Sequence, residues 1–157
     1  MAIFTEAQEQ LNIGQIEEIE NYVKLSFPQE YKDYLLQSNG GRCEPNVFDF
    51  IENEEITNSS IDWFLSIYDG EYDNLKDYID MYKIEEKRIP THILPIAHDP
   101  GGNLICISCG KKDNEYVYFW DHEKEVDYNK SDDNDYSNLY LIAKSFTKFI
   151  DNLEDEN

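Results

Sequence analysis

Two cysteines three positions apart, Cys106 and Cys109, and the histidines His92, His98 and His122 are the side chains whose types could carry chemistry in this chain. A Cys-x-x-Cys pair exchanges disulfides when it opens a helix, where the dipole lowers the thiol pKa. Here the pair closes a run, Leu104 to Ser108, that reads as a strand. Residues i and i+3 of a regular strand face opposite sides, so the two sulfurs diverge unless the backbone breaks at Ser108. A four-cysteine zinc site would need a second such pair, which the chain lacks, although His98 and His122 near the ends of flanking strands could complete a mixed ligand set. Buried apolar thiols are the simpler reading.

Acid–base chemistry would pair the three histidines with Asp99, Asp121 or Glu123, and His98-Asp99 and Asp121-His122 would approach if their strands neighbour at those ends. No nucleophile motif, phosphate loop or His-Glu-x-x-His accompanies them, so the chain is read as a non-enzyme. The acidic stretch Asp127 to Asn138 places ligand types at 127, 129, 131, 133 and 135, as a calcium loop does. Its sixth place, however, is Asp132 instead of Gly, and its twelfth is Asn138 instead of a bidentate Glu. No cofactor or metal is assigned. Asn39-Gly40-Gly41 and Gly101-Gly102-Asn103 are backbone devices and not phosphate cradles. Trp63 and Trp120 read as core anchors, with an exposed contact as the other reading.

These residues hang on elements that the pattern makes legible. Ile93 to Ile96, Leu104 to Ser108 and Glu115 to Asp121 are apolar or aromatic runs joined by Asp99-Pro-Gly-Gly-Asn103 and Gly110-Lys-Lys-Asp-Asn114, which predicts an antiparallel meander. Leu104 and Cys106 lie on one face of the middle strand, Ile105 and Ile107 on the other, so that strand is expected inside a sheet covered on both sides. Ahead of it, Asn12-x-x-Gln15 reads as a capping box for a helix through Ile16, Ile19 and Val23. Pro28 opens a second helix at its first position, and Asn39-Gly40-Gly41 closes it. Val47–Ile51 and Ile61–Tyr68 read as strands around a polar loop, 52–60, and Tyr72–Tyr82 as a helix. Residues 122–138 read as a surface loop. A last helix is expected from Leu139 to about Leu153, capped by Ser137 or Asn138, with an acidic frayed tail at 154–157. The fold class is therefore α+β: about five mainly antiparallel strands flanked by an N-terminal helical hairpin, a middle helix and a C-terminal helix, in one domain over 1–157.

With 34 acidic against 13 basic residues, the formal charge is −21. Such a chain is repelled by phosphate backbones and anionic membranes, which excludes direct nucleic-acid and membrane binding and favours a cationic partner. From three cysteines, a polar Thr5-Glu-Ala-Gln-Glu-Gln10 start and no long apolar run, a reducing cytoplasm is the expected home.

Leu25-Ser-Phe-Pro-x-x-Tyr-Lys-x-Tyr-Leu-Leu-x-x-Asn-Gly-Gly41, Ile93-Leu-Pro-Ile-Ala97, Gly101-Gly-Asn-Leu-Ile-Cys-Ile107 and Val117-Tyr-Phe-Trp-Asp-His122, in that order, resemble the SUKH superfamily from about Asn12 to the final helix. That group takes in bacterial immunity proteins and the yeast Smi/Knr-type regulators of cell-wall synthesis. The resemblance implies an α+β fold without catalysis and motifs that serve the fold, and it carries over no active-site residue. The expected function is that of a cytoplasmic immunity protein that neutralises a cognate, nuclease-like toxin by direct binding. A non-catalytic regulatory scaffold or small-ligand module of the Smi/Knr type is the alternative. Charge density nominates Asp121, Glu123, Asp132, Asp133 and Asp135 as partner contacts. The oligomeric state is left open.

Overall fold

The computed structural model describes residues 2–156. Its elements run β1 (Ile3–Thr5), α1 (Ile13–Val23), α2 (Gln29–Gln37), β2 (Arg42–Glu44), β3 (Val47–Glu52), β4 (Glu55–Ser60), β5 (Trp63–Phe64), α3 (Leu75–Ile79), β6 (Ile93–His98), β7 (Leu104–Ser108), β8 (Val117–Trp120), β9 (Leu139–Ala143) and α4 (Phe146–Asp151). The order β5-β6-β7-β8-β9 forms one antiparallel sheet, and β1-β2 and β3-β4 form two-stranded sheets. The fold is α+β. Among the described residues no helix is long and apolar enough to cross a membrane.

The meander is where periodicity put it, and β7 is buried on both faces. Ile105 and Ile107 join one apolar cluster with Ile16, Leu35 and Phe149 from the helices and Phe48 and Phe50 from β3. Leu104 and Cys106 join a second with Ile89, Tyr118 and Trp120, against which Tyr82 and Tyr136 pack. The capping box also forms: Asn12 Oδ1 accepts from the Gln15 amide at 3.0 Å, and Gln15 Oε1 accepts from the Asn12 amide at 2.9 Å. Two donors that the helix cannot satisfy internally are thereby paired.

Several expectations need correction. The last helix splits, because Leu139–Ala143 adds to the edge of β8 as β9 and Ser145 caps a shorter α4. Leu139, Ile142 and Phe146 fit helical spacing, but the free sheet edge beside β8 pairs Leu139, Tyr140, Leu141 and Ala143, with a register shift at Ile142, and pairing overrides periodicity. The polar segment read as a loop, 52–60, is mostly β4, which pairs with β3 around the two-residue turn Asn53-Glu54. Both turn residues have positive φ (53° and 68°), the type I′ geometry that hairpin twist favours. β1 and β2 carry no legible pattern because each is three residues long, and the strand read over Ile61–Tyr68 is reduced to β5, with an isolated parallel bridge from Ser66 to Asn74. Pro28 sits one place before α2 instead of in its first position, and Ser38, not the glycine pair, is that helix's C-cap. The acidic end is tied at Glu154, whose amide and carbonyl both bond Val47 at 2.9 Å; Asn157, the last residue of the tail read as frayed, lies outside the described residues.

Candidate partner-binding surface

The cysteines face apart. Cys106 points into the cluster around Trp120, whereas Cys109, just past the strand end, packs against the cluster on the other face. Burial pushes the Cys106 thiol far above its ordinary value and Cys109 up to about 12, with Lys83 the largest opposing influence on both. A thiol held protonated is a poor nucleophile and a poor metal ligand. Lys83 itself donates to the carbonyls of Pro90, Thr91 and Ile93 at 3.1, 2.8 and 2.8 Å, so it acts as a clasp on that turn.

The histidines separate into three environments. His98 Nε2 contacts Asp73 Oδ1 at 2.6 Å with Tyr78 stacked alongside, and His122 Nδ1 meets Asn103 Oδ1 at 2.6 Å. Register does bring the ends of β6, β7 and β8 together (His98 opposite Leu104, Leu104 opposite Trp120), as expected if those strands neighbour, yet the two histidines take different partners. His92 Nε2 bonds the Tyr136 hydroxyl.

That last contact belongs to a hub that sequence reading missed. Asp113, in a segment read only as a turn, is buried and accepts hydroxyl bonds from Ser108, Tyr118 at 2.7 Å and Tyr136 at 2.8 Å. Burial pushes its carboxyl up, but the three hydroxyls and His92 outweigh that and hold it below the ordinary value. A hollow of about 610 Å3 opens beside the hub, lined by His92, Lys111, Lys112, Asp113, Asn134 and Tyr136. The hub fastens the acidic 127–138 loop to the sheet through Tyr136.

The five nominated acids fall into two groups. Asp121 caps the short 3₁₀ turn His122–Lys124 by accepting from the Glu123 amide, and Lys124 reaches Glu52 on β3 at 3.0 Å, so Asp121 and exposed Glu123 flank the β3–β4 hairpin. Asp132, Asp133 and Asp135 lie on the loop held by the hub. Asp132 accepts from the Asn134 amide and Asp135 from the Ser137 amide and hydroxyl, while Asp133 crosses to accept from the Thr91 amide at 3.0 Å and hydroxyl at 2.6 Å. These carboxylates bind nearby backbone and hydroxyl donors one by one instead of converging as calcium ligands would. Asn138, at the twelfth place of that reading, is buried with its amide on the Asp121 carbonyl.

The Thr91 clasp has a pH consequence. Burial raises the Asp133 carboxyl, and the hydroxyl and amide of Thr91 more than reverse this, leaving it below its ordinary value of 3.8. A depressed folded pKa contributes stability that is complete above the unfolded value and is lost as pH falls through the folded one. Urea titrations are therefore expected to show stability falling below about pH 4, with a shallower fall in Asp133→Asn. A fall of equal steepness in the variant would show that Asp133 is not linked to folding.

The two tryptophans divide between the readings given above. Trp120 is fully buried with its indole N–H on the Arg88 carbonyl at 3.2 Å, whereas half-buried Trp63 carries the Arg42 guanidinium 5.1 Å over its ring.

A model of the SMI1/KNR4 family (SUKH-1) matches residues 10–152. The SPbeta prophage-derived uncharacterized protein YokK of Bacillus subtilis (strain 168) is similar to this chain, 31% identical over 153 residues that cover 90% of this chain and 74% of that protein.

Proposed function

We propose, from the premise that this chain belongs to the SMI1/KNR4 (SUKH-1) family, that it is an immunity protein neutralising a cognate toxin by direct binding. The family is generally non-enzymatic and its bacterial members act on protein partners, and a prophage-derived relative accords with that branch. One observation carries the electrostatic side of the reading. A formal charge of −21 is displayed on surfaces held by caps, clasps and the Asp113 hub, so its carboxylates are prepaid in conformation before a partner arrives. A nuclease toxin is basic where it holds nucleic acid, and such a surface would be steered onto this one. In this reading the chain works in the cytoplasm as one domain, without catalysis, cofactor, membrane or nucleic acid, and Asp121, Glu123, Asp132, Asp133 and Asp135 are its partner contacts.

Titration calorimetry against the toxin domain encoded beside the gene tests the reading. Nanomolar binding, on the order of −12 kcal/mol, that weakens with salt is the expected result, and no heat at either low or moderate salt would sink it. Within a complex so established, changing Asp132, Asp133 and Asp135 together to Asn should slow association several-fold and flatten its salt dependence, with little change in dissociation. Stopped-flow rates equal to the parent's would remove the loop from the interface.

A further inference from the structure

The β3–β4 hairpin is packed on one face, and its other face and outer edge are left unused among the described residues. On its inner face Phe48 and Phe50 pack against Phe119, Tyr140 and Phe149. On its outer face the cross-strand pair Ile51 and Ile56 is 65% and 76% exposed, the most open aliphatic pair on a strand ladder here. Among the described residues no further strand lies beyond β4 in that two-stranded sheet. Polarity along the ladder follows from one contact. Val47 spends its amide and carbonyl on Glu154, so the Val47–Ser60 pair is not hydrogen-bonded across the hairpin. Pairs of an antiparallel ladder alternate, so Asn58 and Ile56 are also in the open class, and the backbone N–H and C=O groups of Ile56, Asn58 and Ser60 point away from β3 into the free edge. Six residues of β4 amount to roughly 20 Å of unpaired template.

Charge says what fits it. Asp49 shares the isoleucines' face, Glu54 sits in the adjoining turn, and at the far end Ser60 helps to line a hollow of about 490 Å3 with Glu44, Asp62, Asp155 and Glu156. The one cation there, Arg42, is already engaged by Glu6 at 3.9 Å and Asp62 at 3.4 Å. A second copy of a chain carrying −21 would meet like charge along this edge. We propose that the free edge of β4 takes up an extended cationic segment of a partner protein as an added strand, with apolar side chains over Ile51 and Ile56 and basic ones in the acidic hollow. The proposal deepens the immunity reading by naming the face and the form in which a basic partner binds, and it rests on that reading for the partner's charge.

A capped eight-residue peptide alternating lysine and valine is the probe, with amide exchange of the isotope-labelled protein as the readout. Bound peptide should slow exchange at Ile56, Asn58 and Ser60 at least tenfold. Asn58→Pro removes one outward N–H and none of the hairpin's own bonds, so it should weaken peptide binding at least tenfold while Asn58→Ala changes it little. Four results would overturn the proposal. They are no binding at millimolar peptide, binding without slowed exchange at those amides, slowing that depends on protein concentration alone and so reports self-pairing, or equal affinity in Asn58→Pro. The wild-type exchange data stand even where the proline variant fails to fold. A toxin domain that binds the parent and Asn58→Pro alike would remove the edge and leave the immunity reading standing; peptide capture with no toxin binding would do the reverse.

Discussion

Gly41→Ala is expected to cost about 4 kcal/mol, combining left-handed backbone strain with a steric collision. Gly41 has φ +93°, and a Cβ there would lie 2.3 Å from the Thr5 carbonyl oxygen and 2.9 Å from the Ala7 nitrogen. Those atoms are backbone and cannot rotate aside. The same residue exchanges bonds with Phe64, donating at 3.2 Å and accepting at 2.7 Å, so it fastens the β1–β2 sheet to the edge of the five-stranded one. Relief of the clash must therefore displace β1 or break that fastening. The contrast is Gly101→Ala, where a Cβ would meet nothing nearer than 3.4 Å and φ is not left-handed; that change should lie within about 1 kcal/mol of the parent and could be stabilising through the unfolded chain. Urea unfolding of both variants checks the pair. Equal midpoints would show that close approach at Gly41 is not what the fold depends on.

Removing the Asp113 carboxylate is the second large effect. Asp113→Ala leaves the hydroxyls of Ser108 and Tyr118 buried without their acceptor and leaves Tyr136 held to the sheet only by His92 and ring packing. Unpaired buried donors cost about 1–3 kcal/mol each, and half-buried Tyr136 regains water, so a total near 3 kcal/mol is expected. For a chain of this length that corresponds to a fall in melting temperature of roughly 6–12 °C. Asp113→Asn keeps an acceptor oxygen and should lose about half as much. Because Tyr136 anchors the 127–138 loop, amide exchange in that loop should accelerate in Asp113→Ala beyond what the global loss explains. A loop as well protected as the parent's would mean that its other fastenings, His92 on Tyr136 and Thr91 on Asp133, suffice to hold it.

Elements whose signal is local and redundant could be read from the residues alone. The capping box at Asn12 needs only residues three apart, and the meander combines alternating apolar runs with turn chemistry, so both are present as read. Cys106 and Cys109 diverge as read, although the strand ends at Ser108 and the clusters on its two faces complete the separation. The family, too, is legible in four short motifs spread along the chain. Long-range packing had to arbitrate where two local readings compete or where partners are far apart. Leu139–Ala143 suits helix and strand about equally, and the open edge of β8 settled it as β9. Gly40-Gly41 resembles a helix end, yet its requirement for glycine comes from Thr5 and Ser66, which no spacing rule connects to it. Asp113 looks like an ordinary turn residue until Tyr118 and Tyr136, five and twenty-three positions away, are folded onto it. The five acids chosen by charge density were divided between two regions for the same reason. Charge density is a property of the chain, whereas which carboxylates share a surface is fixed by long-range pairing, here Lys124 with Glu52 and Asp133 with Thr91.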